Sequence, residues 1–271
     1  MVVLKMKDTI YSEKLFINDH INFKKTTQMK AKKIYLSLVL LFVLVLSSSC
    51  IFDFNVMTGK GNIITETRSA KDFSTIELQT SADVEIVKGS TFNVSVSDYE
   101  NLVKYLNVEV VDNRLIIKKQ SKVINLWNSK AKVIVTLPDP LYSIKLAGSG
   151  NMKVLSTFND LQFLLLSGSG NIEVNCNCRL NKLDAQIAGS GNIDGNGSVQ
   201  ELYTKISGSG NIQFSEMKAK NANCTLSGSG NIYVFIENKL DAYLSGSGDI
   251  VYSGSPVVNS HLSGSGSIYK R

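Results

Sequence analysis

Seven copies of one short motif constrain this chain more than anything else in it. The copies read Leu146-Ala-Gly-Ser-Gly-Asn-Met152, Leu166-Ser-Gly-Ser-Gly-Asn-Ile172, Ile187-Ala-Gly-Ser-Gly-Asn-Ile193, Ile206-Ser-Gly-Ser-Gly-Asn-Ile212, Leu226-Ser-Gly-Ser-Gly-Asn-Ile232, Leu244-Ser-Gly-Ser-Gly-Asp-Ile250 and Leu262-Ser-Gly-Ser-Gly-Ser-Ile268. Their first glycines fall at 148, 168, 189, 208, 228, 246 and 264, so the spacings are 20, 21, 19, 20, 18 and 18 residues. A period near twenty, repeated seven times, is the mark of a solenoid, in which each unit packs only on its neighbours.

The segments between motifs are strands. Leu183-Asp-Ala-Gln-Ile187 and Leu240-Asp-Ala-Tyr-Leu244 alternate apolar with polar or small residues, a period of two. No helical period intervenes. About twenty residues at ~3.3 Å of rise make one coil of three short sides, and coils stacked at ~4.8 Å pair in parallel. The fold expected is all-β, a β-solenoid resembling a parallel β-helix. The aliphatic residues flanking each turn then form two inward columns. The glycines allow positive φ at sharp corners and close approach of adjacent backbones. Asn151, Asn171, Asn192, Asn211 and Asn231, with Asp249 as a variant, are expected to stack as a turn ladder between coils.

Residues 55–140 are β-rich but less regular. Thr58-Gly-Lys-Gly-Asn-Ile63 reads as a degenerate turn, which starts the solenoid near Gly59, and Asp83 stands where Asn usually does. Asp112-Asn113 predicts a hairpin, and 98–105 a single helical turn. These N-terminal hairpins are expected to cap the first coil, because a naked edge invites aggregation. At the other end, either Lys270 and Arg271 blunt the last coil with charge or a second subunit covers it.

The beginning of the chain reads differently. Met29-Lys-Ala-Lys-Lys33 is a basic segment, Ile34–Leu46 is apolar, and Ser47-Ser-Ser-Cys50 follows. The apolar run is short for a membrane span of roughly 20 residues and suits a signal peptide. Small residues before a Cys resemble a lipoprotein cleavage site. The reading is therefore an upstream extension or misassigned start over 1–28, a lipoprotein signal peptide over 29–49, a lipidated N-terminus and short linker over 50–58 with lipidation at Cys50, and the solenoid domain over 59–271. Each buried methylene of an acyl anchor contributes about 0.8 kcal/mol.

Charge follows the same division. Residues 1–50 hold eight Lys against three acidic residues, which leaves 21 basic and 20 acidic residues in the rest. A nearly neutral body has no electrostatic footprint for nucleic acid. Only His20 and His261 are present, so histidine acid–base chemistry is poorly supplied. Seven Gly-rich turns without helices do not suit a phosphate loop. A calcium β-roll would need nine-residue repeats with an Asp in each. Asp184 and Asp241 occupy matching Leu-Asp-Ala positions and read as outward strand residues. Cys176 and Cys178 share a strand face; a structural role, or a disulfide with Cys224, suits them better than a metal, for which ligands are short. Trp127 reads as a packing residue.

Gly61-Asn-Ile-Ile-Thr-Glu-Thr-Arg68, Phe73-Ser-Thr-Ile76, Ala82-Asp-Val-Glu-Ile86 and the seven turns together resemble the putative auto-transporter adhesin, head GIN domain family. The likeness covers roughly residues 59–269. It implies an exported β-solenoid, often of Bacteroidetes-type bacteria; with the lipid at Cys50, the expected location is the cell envelope, anchored to the outer membrane on its periplasmic or surface face. The resulting expectation is a non-enzymatic, lipid-anchored adhesin or binding module without cofactor or metal. Its expected partners are the membrane, through the lipid, and a polysaccharide or protein ligand. Two alternatives are a carbohydrate-active solenoid, which needs clustered acids and bases on adjacent coils, and an envelope-stress regulator acting through protein contacts. The ladder yields the first prediction. Asn211→Leu, in mid-stack, should lower stability by about 2 kcal/mol, the cost of stranding buried hydrogen-bonding groups; an unchanged thermal melt would count against the ladder.

Overall fold

Residues 56–121 and 125–271 are described by a computed structural model, the side chain of Cys176 excepted. Cys50 and the leader lie outside the described residues. The chain forms the all-β solenoid that its repeat demands, with a 3-10 turn at Val103–Tyr105.

Strand Ile172–Ile187 pairs in parallel with Ile193–Ile206, which pairs with Ile212–Leu226, which pairs with Ile232–Leu244. Ile250–Gly254 and Val257–Leu262 continue the stack, and Ile268–Lys270 lies on Ile250–Gly254. The register brings equivalent motif residues together: Ile172, Ile193, Ile212, Ile232, Ile250 and Ile268 follow one another in one column. Leu166, Ile187, Ile206, Leu226 and Leu244 fill the other and are buried. Each such side chain taken from water contributes about 1.5–3 kcal/mol. Both columns extend toward the N-terminus through Leu146 and Leu78, and through Met152 and Val84. They open at the last coil, where Leu262 is 55% exposed.

The N-terminal coils do not stack in chain order. Thr75–Leu78 and Asp83–Lys88 lie between two later segments. Ser143–Leu146 and Met152–Val154 pair on one side of them, and Arg114–Lys119 and Lys132–Leu137 on the other. Antiparallel strands then cover the outer side. Leu106–Val111 folds back on Arg114–Lys119, Asn93–Tyr99 lies on Lys132–Leu137, and Ile63–Arg68 lies on Asn93–Tyr99. The parallel solenoid therefore does not start near Gly59. The Gly59–Asn62 turn leads into a capping strand, and antiparallel pairing there ends the parallel stack. Asp112 and Asn113, with φ of 49° and 61°, make the two-residue hairpin loop. Positive φ at both central residues matches the right-handed twist of the strands.

Asp98 locks this cap. It is 1% exposed, and its carboxylate accepts from Tyr99 N at 2.8 Å, Lys130 N at 2.8 Å and Ser129 Oγ at 2.6 Å. A buried carboxylate is tolerated because three donors converge on it, two on Oδ1 and one on Oδ2.

The motif glycines serve close approach, not positive φ. Among the described residues, the positive-φ glycines are Gly61, Gly197 and Gly254, all outside the seven motifs. At Gly210, by contrast, an added Cβ would fall 1.7 Å from the carbonyl oxygen of Gly191 on the preceding coil. No side chain fits between backbones at that distance.

The polar residue after each glycine pair links coil to coil with a constant direction. Asp83 Oδ1 accepts from the backbone N and Nδ2 of Asn151 at 3.1 and 2.9 Å. Asn151 Oδ1 accepts in the same way from Asn171, Asn171 from Asn192, Asn192 from Asn211, and Asn211 from Asn231. Asn231 Oδ1 then accepts from Asp249 N at 2.8 Å, and Asp249 Oδ1 from Ser267 N at 2.8 Å. A carboxylate has no side-chain donor, so the double link becomes single at Asp249. Asp249→Asn should restore the missing Nδ2 donation. We expect a gain of about 1 kcal/mol, seen as a rise of about 2–4 °C in melting temperature for a domain of this size.

Candidate functional site

Side chains that face outward form columns just as the inward ones do. One begins at Phe163 and runs through Asp184, Tyr203, Asn223, Asp241 and Asn259, one residue per coil. Beside it stand Lys182, Glu201, Asn221, Lys239 and Val257. These groups neutralise one another. Asn221 Nδ2 donates to Glu201 at 2.7 Å, and Asn259 Nδ2 donates to Asp241 at 2.9 Å. Lys239 pairs with Asp241 at 2.8 Å, Lys182 lies over the Tyr203 ring at 4.8 Å, and Tyr243 stacks on His261 at 5.0 Å. The hydrogen bonds from Lys239 and then Asn259 hold the Asp241 carboxyl below its ordinary value, so it stays ionised and acceptor-only. Asp184 and Asp241 share this column with two coils between them. Three steps of ~4.8 Å put them about 14 Å apart, beyond the ~5–9.5 Å that carboxylate pairs use on a glycosidic bond.

A second outward site lies around a bulge. The register slips between Asp194 and Asn196 and between Val174 and Cys178. The slip opens a cleft of about 370 Å³ lined by Glu173, Asn175, Asp194, Asn196, Gln213 and Glu216. Glu173 and Asp194 are direct neighbours on adjacent coils. Burial, and after it the charge of Glu173, pushes the Asp194 carboxyl above its ordinary value. Lys153 pairs with Glu173 from the other side at 2.8 Å, and this bond raises the lysine's own pKa. Among the described residues, no group of His, Cys, Asp or Glu could hold a metal ion.

The cysteines separate into two kinds. Cys224 is a free, fully buried thiol, pushed up to about 12 by burial. It faces the core between Thr204 and Ala242, so it is neither nucleophile nor ligand. Cys178 is disulfide-bonded. The expected disulfide to Cys224 is therefore excluded, because Cys224 lies two coils further on and on a different side of the coil. Trp127 also departs from expectation. It is 64% exposed, on the short strand Asn125–Trp127 that pairs with Val56–Thr58.

The family model described as "Putative auto-transporter adhesin, head GIN domain" matches residues 72–256. The chain belongs to this family. Solved structures resemble the GIN domain closely. A "putative lipid binding protein" from Parabacteroides distasonis is 28% identical, with a TM-score of 0.65, over 80% of this chain and 99% of its own. A "putative adhesin" from Bacteroides fragilis is 25% identical, with a TM-score of 0.70, over 79% and 100%. A "putative adhesin" from Parabacteroides merdae, 22% identical over 80% and 99% with a TM-score of 0.64, shares the fold. No curated protein matches.

Within this GIN domain, Asn151, Asn171, Asn192, Asn211, Asn231 and Asp249 come together as the inter-coil ladder, while Cys50 lies outside the described residues. Asp98 and the Glu173–Asp194 pair escaped sequence reasoning. The partners of Asp98 come from the 129–130 corner, and Glu173 meets Asp194 only through the coil register.

The sign of the Asp194 effect follows from its environment. A carboxyl whose folded pKa exceeds its unfolded one destabilises the fold once ionised, so stability falls as pH rises through the interval between the two values. Asp194→Asn should therefore raise the melting temperature at pH 7, and the difference should vanish near pH 3, where both side chains are neutral; melts across that range measure it.

Proposed function

We propose that this chain is a lipid-anchored, non-enzymatic envelope protein that binds a hydroxyl-rich polymer, a polysaccharide, across the flat outward columns of its GIN solenoid. The observation that carries this reading is the column through Asp184, Tyr203, Asn223, Asp241 and Asn259. Its carboxylates and amides are paired with neighbours and present donors and acceptors at the coil spacing, while Tyr203 and Tyr243 add exposed ring surface. Such a face can recognise a repeating ligand. It holds no nucleophile beside a base, and Asp184 and Asp241 stand too far apart to act as an acid pair. The adhesin family supports the envelope location, and the leader ending at Cys50 supports the anchor.

The relative described as a lipid binding protein brings a second ligand class into view. The clefts at Glu173–Asp194 and at Glu201–Asp241 are polar-lined and offer no apolar room for an acyl chain. The acyl attachment this reading proposes is the covalent one at Cys50.

Two measurements test the proposal. Cys50→Ser should abolish incorporation of labelled fatty acid and shift the protein from the membrane to the soluble fraction; continued membrane retention of the variant would overturn the anchor. Tyr203→Ala with Asp241→Ala should weaken binding to extracted envelope or host polysaccharide at least about tenfold, the loss expected for two contact groups of ~1 kcal/mol each, with an unchanged thermal melt. Equal binding by the double variant would overturn the polymer-binding face.

A further inference from the structure

The capped end of the solenoid carries a surface that the polymer-binding columns do not use. Strands Val56–Thr58 and Asn125–Trp127 form a separate two-stranded sheet, with Val56 opposite Asn125 and Thr58 opposite Trp127. Side chains alternate across a strand, so Val56 and Trp127 project from the same face. Both are exposed, at 46% and 64%, and Ile63, which follows the turn after Thr58, is 57% exposed. Gly59 N donates to Trp127 O at 3.0 Å, and Asn101 Nδ2 to Thr58 O at 2.8 Å, so the face is held to the cap. Lys60 and Lys130 follow these strands closely in sequence, and Glu100 lies against Gly61.

We infer that this face is a membrane-contact surface, with Trp127 seated in the headgroup region of the bilayer. The inference rests on the proposed anchor at Cys50. Val56 is six positions after Cys50, and six extended residues reach about 20 Å. The tether therefore keeps this sheet within about 20 Å of the anchor's point of insertion. A Trp, with an apolar body and one N–H donor, has its best environment at that boundary. Val56 and Ile63 add apolar area beside it, and the lysines suit anionic headgroups. A tether this short raises the local concentration of bilayer, so a small patch whose own affinity is weak still engages.

Trp127 is the only Trp in the chain, so its fluorescence reports on this face alone. The test uses the lipidated mature protein in phosphatidylethanolamine–phosphatidylglycerol vesicles, beside the Cys50→Ser chain in solution. The expected result is a shift of Trp127 emission to shorter wavelength in vesicles, quenching by brominated lipid, and loss of quenching by aqueous iodide. Val56→Glu, at an exposed position, should diminish the shift without changing the thermal melt. Protein that carries the acyl mass and sediments with vesicles, yet keeps an unshifted and iodide-accessible Trp127, would overturn the surface and leave the anchor standing. Absence of acyl mass on Cys50 would overturn the anchor and this orientation together. A shift that grows with protein concentration in the absence of vesicles would assign the face to a second copy instead.

Discussion

Everything in this domain depends on how closely one coil's backbone lies on the next at the glycine corners. At Gly210 the carbonyl of Gly191 occupies the space where a Cβ would stand, and the same relation recurs from Gly148 to Gly266. Parallel strands must sit at ~4.8 Å along the whole coil, corners included, if every backbone group is to find its partner. A corner with side chains would wedge the coils apart there and misalign the strands on both sides. Glycine pairs remove the wedge, and the serine between them keeps the corner polar toward solvent.

The ladder and the aliphatic columns are consequences of that spacing. Once equivalent residues lie one coil apart, an Asn can accept from both the backbone N–H and the side-chain amide of the next Asn. The link is directional, since each carbonyl receives from the following coil. It therefore tolerates an acceptor without a donor at its N-terminal end, which is where Asp83 stands. The same acidic substitution inside the run, at Asp249, loses one of the two hydrogen bonds. Inward, the spacing stacks one turn-flanking aliphatic residue on the next, so two continuous aliphatic columns run through the coils.

Outward, the repeat leaves side-chain identity free, and it is there that function can differ between relatives of one fold. The columns vary from coil to coil in charge, amide content and ring content, while the inward residues that flank each turn stay aliphatic. Neighbouring charges are largely consumed in pairs such as Lys239–Asp241 and Lys153–Glu173, which suits surface recognition better than bond-breaking chemistry. The Glu173–Asp194 pair, at a bulge where the register slips, is the place where like charges remain close.

The sequence by itself determined the architecture. A period near twenty, aliphatic residues in fixed phase on both sides of each turn, and Gly-Ser-Gly-Asn at the corner leave few folds other than a parallel β-solenoid, because each signal is local and repeated. The Asp112-Asn113 hairpin was equally legible, since its chemistry is contained in two residues. Tertiary structure alone decided what depended on distant pairing. The coil at 75–88 is inserted between segments that follow it in the chain, which no local pattern encodes. Asp98 is buried because residues 129–130 bring donors to it. Cys224 is a core thiol and not a disulfide partner, because the register places it two coils from Cys178. Trp127 faces outward because its strand pairs with Val56–Thr58 and not with the core. In each case the deciding energy is a contact between residues far apart in sequence, and a repeat can specify such contacts only where the repeat itself is unbroken.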